Sequence, residues 1–73
     1  MKVITYIRTG AAGWSVSTDP VHAQAPAEVP HTTLTLADGP CEVWRYRDTR
    51  QRLVRLVCRV RKMQVTPSWG DLV

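Results

Sequence analysis

The densest chemistry in the chain is a run of cations: Arg45, Arg47, Arg50, Arg52, Arg55, Arg59, Arg61 and Lys62. Eight of the ten cations fall in this stretch, with Asp48 the one acid among them. Arginine carries a planar fork of donors that clamps phosphate or carboxylate oxygens two at a time. Elsewhere Lys2 and Arg8 stand against Asp19, Glu28, Asp38, Glu42 and Asp71, so a basic segment is set on a mildly acidic body. That asymmetry points to an anionic partner: nucleic acid, a nucleoprotein complex, or the acidic face of another protein. No helix-turn-helix, zinc-finger or RNP-type motif accompanies the run, so the expected contacts are to phosphates rather than to base sequence. The expected binding residues are Arg45, Arg47, Arg52, Arg55, Arg59, Arg61 and Lys62.

Other reactive groups are sparser. Cys41 and Cys58 with His22 and His31 make four potential metal ligands, but their spacings of eight, nine and sixteen intervening residues match no zinc pattern. We expect buried free thiols, no metal and no cofactor. Ser15, Ser17, Asp19 and Glu28 lie near the histidines in sequence. Nucleophilic catalysis needs a hydroxyl or thiol held against a base, and no spacing here fixes that geometry. The expectation is a non-enzymatic binding protein. Trp69, in the tail 66–73 beyond regular structure, is a large ring on a short segment and suits an interface anchor. Its competing role is to fold back over the core. Together the tail and the basic face support an alternative function: a small phage- or plasmid-type inhibitor or adaptor of a larger protein machine. That alternative rests on size and class, with no motif behind it.

Seventy-three residues make a single small domain, 1–73, near the lower limit for a chain that folds alone. A core of this size supplies only about 3–5 kcal/mol, so a homodimer or a partner is one way to complete it. With 44% hydrophobic and 22% charged residues, the chain is globular in composition. The apolar start, Val3 to Ile7, is short, and the AQA at 23–25 is followed by Pro26, which disfavours cleavage. No run approaches the ~20 apolar residues of a membrane span. The reading is a soluble, cytoplasmic protein.

The elements that must position the arginines are mostly strands. KVITYIRT alternates β-branched and aromatic residues, GAAG can turn, and WSVS alternates again, so 2–18 reads as a hairpin. Residues 19–31 form a proline-rich loop. TTLTL and CEVWRYR are two further strands around an Asp38-Gly39 turn. Residues 49–63 fit two periods. As a strand, Val54, Leu56, Cys58 and Val60 share a face against Leu53, Arg55, Val57, Arg59 and Arg61. As a helix, Leu53, Leu56, Val57, Val60 and Met63 share an arc opposite Arg52, Arg55, Arg59 and Lys62.

Strand pairing favours the first. A turn through Thr49-Arg50-Gln51 places Trp44 opposite Leu56, Tyr46 opposite Val54 and Glu42 opposite Cys58, with Arg45 and Arg55 together on the other face. The expected fold is therefore all-β, a small antiparallel sheet or barrel of about five strands. The alternative is α+β, four strands plus one amphipathic helix at about 49–63. The segment RDTRQRLVRL resembles the turn of tyrosine–aspartate repeat hairpins, but it lacks their turn glycine, and no function is carried over from the resemblance.

Overall fold

The computed structural model describes residues 2–10, 13–36, 39–61 and 72, with Leu36 described by its backbone alone. The strands are β1 (Lys2–Arg8), β2 (Trp14–Val16), β3 (Thr32–Leu36), β4 (Gly39–Arg47) and β5 (Leu53–Val60). They form one antiparallel sheet in the order β2-β1-β5-β4-β3. Among the described residues β2 and β3 have no outer neighbour, so the sheet is open and the barrel form of the expectation does not apply.

The ambiguous segment is strand β5, not a helix. It lies in the middle of the sheet, between β1 and β4. A central strand covered on both faces needs apolar residues at consecutive positions, which a one-sided helical stripe does not. Leu56, Val57 and Cys58 supply them, and all three are buried.

The β4–β5 register corrects the expected one. Beside the turn, Arg47 is opposite Leu53, as the turn arithmetic predicts, but a bulge between Tyr46 and Arg47 then slips the ladder by one residue. Beyond it Trp44 faces Val57, Val43 faces Cys58, Glu42 faces Arg59 and Tyr46 faces Arg55. A bulge inserts one unpaired residue and so exchanges the two faces of everything past it. Arg45 is thereby separated from Arg55. The slipped register buries both sides of β4, whereas the expected one assumed a single buried face.

One face carries Ile4, Tyr6, Cys41, Val43, Leu56, Cys58 and Val60, with Leu53 and Leu72 packed into the same cluster. The other carries Thr5, Trp44 and Val57, which line up across the three central strands. The proline-rich segment lies against this second face. Thr5 donates its hydroxyl to the His22 carbonyl at 2.7 Å, and the Trp44 indole N–H donates to the Glu28 carbonyl at 2.9 Å. The segment holds one 3₁₀ turn, Pro20–Ala23. Pro20 fixes its own φ at the first position, and the Asp19 carboxylate accepts from the Val21 N–H at 3.0 Å.

Candidate nucleic-acid interface

The arginines are sorted by the turn that joins β4 to β5. Asp48 organises it: one carboxylate oxygen accepts from the backbone N–H of Arg50 at 2.8 Å and of Arg52 at 3.0 Å. The Gln51 N–H closes the turn on the Asp48 carbonyl at 3.0 Å, and the Asp48 N–H bonds the Arg52 carbonyl at 2.9 Å. Gln51 is left-handed, with φ 64°. This is the three-residue hairpin loop in which a type I turn ends on a left-handed residue. The hydrogen bonds from Arg52 and Arg50 hold the Asp48 carboxyl below its ordinary pKa.

At this end of the sheet Arg47, Arg50 and Arg52 project around the loop. Arg55 stands just inside it, and Arg8 arrives from β1. Arg8 donates Nε–H to the Leu53 carbonyl at 2.9 Å and lies over the Trp14 ring. Arg52 pairs with Asp48 at 3.2 Å, and Arg47 donates to the Gln51 carbonyl at 3.0 Å. The Arg55 guanidinium carbon lies over the Tyr46 ring, 4.2 Å from its centroid. Five arginines therefore gather at this end of the sheet, with Asp48 in the loop and the Glu28 carboxylate accepting from the Tyr46 hydroxyl at 2.6 Å. Burial and then that carboxylate push the Tyr46 hydroxyl above its ordinary pKa.

The remaining predicted cations lie elsewhere. Arg59 is clamped by both oxygens of Glu42, at 2.8 Å each, and sits over the Trp44 ring. The pairing lowers the Glu42 pKa and raises that of Arg59. Arg45, on the opposite face, donates to the Leu72 carbonyl at 3.0 Å. Arg61 is exposed just beyond β5, at the far end of the sheet. Lys62 and Trp69 lie outside the described residues. The expected single arginine face is thus replaced by an arginine-rich end, to which Arg47, Arg52 and Arg55 belong and Arg45, Arg59 and Arg61 do not. Sequence reasoning left out Arg8 and Arg50. Arg50 was legible from Asp48 two residues before it, a spacing typical of side-chain-capped turns. Arg8 joins only through the pairing of β1 with β5.

Two further groups have chemistry in view. Ser17 Oγ lies 2.7 Å from His22 Nδ1, and the same hydroxyl accepts from the Asp19 N–H at 3.2 Å. The Asp19 carboxylate is spent on the turn, so the pair fastens the 3₁₀ segment. His31 Nδ1 accepts from the Arg45 N–H at 2.7 Å, and its ring meets Tyr46 edge-on. Cys41 and Cys58 are free and buried. Burial, chiefly, raises the Cys41 pKa and pushes that of Cys58 up to about 12, so both stay as thiols. Among the described residues no three His, Cys, Asp or Glu side chains gather to hold a metal ion, and no helix is long and apolar enough to cross a membrane. Compared with known proteins, the chain matches no family model, no curated protein and no solved structure.

Proposed function

We propose that this protein is a non-enzymatic nucleic-acid-binding module that grips phosphates with the arginine-rich end of its sheet. The observation that supports the reading is the division of the cations. Arg59 is matched by Glu42, whereas Arg47, Arg50 and Arg55 stand together at one end of the sheet with no carboxylate paired with them among the described residues, Arg47 giving one N–H to the Gln51 carbonyl. Guanidinium groups left without a carboxylate on a short rigid hairpin are available to oxygens of a partner, and phosphate suits their fork.

Fluorescence anisotropy with labelled single-stranded and duplex DNA and RNA, at about 50 and 200 mM salt, tests the proposal. Binding should weaken steeply with salt, because each neutralised phosphate releases a counterion. Arg47→Glu with Arg50→Glu should weaken binding at least about tenfold and flatten the salt dependence by about one unit per arginine. The paired exchange Glu42→Gln with Arg59→Gln should leave binding within about twofold. No binding at the lower salt, or equal losses from both pairs, would overturn the proposal and leave the arginines to an acidic protein surface.

A further inference from the structure

Arg55 belongs to two places at once. It is the innermost arginine of the basic end, and it also forms a wall of a cavity of about 200 Å³ between the sheet and the proline-rich segment. The floor of that cavity is Val57 and Thr5, and its sides are Val21, Pro26 and His22. Val21 is 72% exposed, an apolar side chain left open at the rim. One side of the Arg55 guanidinium is occupied by Tyr46. Arg55 has no carboxylate paired with it among the described residues, and it is half-buried.

We infer that this cavity takes one unstacked nucleobase, laid on the side of Arg55 that Tyr46 leaves open, so that the protein prefers single strands to duplex. The inference rests on the nucleic-acid reading above and adds the kind of strand to it. A flat heteroaromatic ring with polar edges, linked to a phosphate, fits the lining. Val57, Val21 and Pro26 give the cavity apolar lining, Gln24 and the His22 ring add polar side chains to it, and the arginines of the hairpin lie beside it for the backbone. Unpaired bases stack on guanidinium planes as well as on aromatic rings. The Tyr46 ring, 4.2 Å from the guanidinium carbon, already occupies one side of the group before any ligand arrives, and that contact lowers the ordering cost of binding.

The test compares an intact single-stranded oligonucleotide, the same strand made abasic at every position, and a duplex of equal length. All three present phosphates, and only the first presents loose bases. The intact strand should bind about tenfold more tightly than the abasic one, the range expected for a single stacked base. Arg55→Lys keeps the charge and removes the plane, and Ala25→Trp fills the cavity mouth from the loop. Either should bring the intact strand down to abasic affinity while leaving abasic binding within about twofold. Circular dichroism confirms that each variant is folded, and two variants on different elements guard against the loss of one. Equal binding of intact and abasic strands, or wild-type preference in both folded variants, overturns the inference and leaves the phosphate reading standing. No binding of any strand at about 50 mM salt overturns both.

Discussion

At the scale of single residues, the hairpin loop asks more of Gln51 than of any neighbour. A side chain at φ 64° brings its Cβ close to the backbone, a cost that glycine does not meet. Gln51→Gly should therefore stabilise the fold by about 0.5–1 kcal/mol, the relief being partly offset by the larger backbone entropy of glycine when unfolded. The measurement is the midpoint of chemical denaturation, and a lower midpoint would mean that the glutamine side chain contributes something the geometry does not reveal. Gln51→Gly should leave nucleic-acid affinity close to wild type, because Arg47 and Arg50 keep their positions on either side.

At the scale of elements, the pairing of β4 with β5 is held by two carboxylates of lowered pKa. Asp48 caps the turn and Glu42 grips Arg59 near the other end of the two strands. Both groups bind protons more weakly folded than unfolded. Their stabilisation is thus complete above the ordinary carboxylate range, around 3.8 for Asp48 and 4.5 for Glu42, and is lost as pH falls through the lowered folded values. Denaturation midpoints should drop between about pH 6 and pH 2–3. A variant with Asp48→Asn and Glu42→Gln should start lower and show a flatter acid limb. An unchanged limb would place the acid sensitivity on other carboxylates.

At the scale of the whole molecule, Trp44 joins two parts of the fold. It is 1% exposed, it carries Arg59 over its ring, and its indole N–H holds the proline-rich segment by the Glu28 carbonyl. Truncating a buried Trp costs about 3–5 kcal/mol. A domain of this length has roughly that much stability from its core. Trp44→Ala should therefore leave the chain largely unfolded at room temperature by circular dichroism. Trp44→Phe keeps a ring but loses the hydrogen bond, and should fold with reduced stability and a looser loop, seen as faster proteolysis between residues 19 and 31. Full stability of the Phe variant would show that the loop is held by its other contacts, chiefly Thr5 to the His22 carbonyl.

The sequence by itself determined the class of fold and most of the strand positions. Period-two alternation in KVITYIR and CEVWRYR, with glycine and aspartate between runs, is a local property that survives whatever the strands pack against. It also determined that cations crowd around one hairpin. Tertiary structure decided which arginines stand together. A bulge of one residue exchanges the faces of a strand, and no local pattern announces it: both registers of β4 on β5 align apolar side chains. The choice was made by cover on both faces, one receiving Leu72 and the other the proline-rich segment, so that Val43 and Trp44 are buried on opposite sides. That two-sided burial also resolved residues 53–60 into a central strand, since a segment with helical and strand periods takes the one its neighbours can hydrogen-bond.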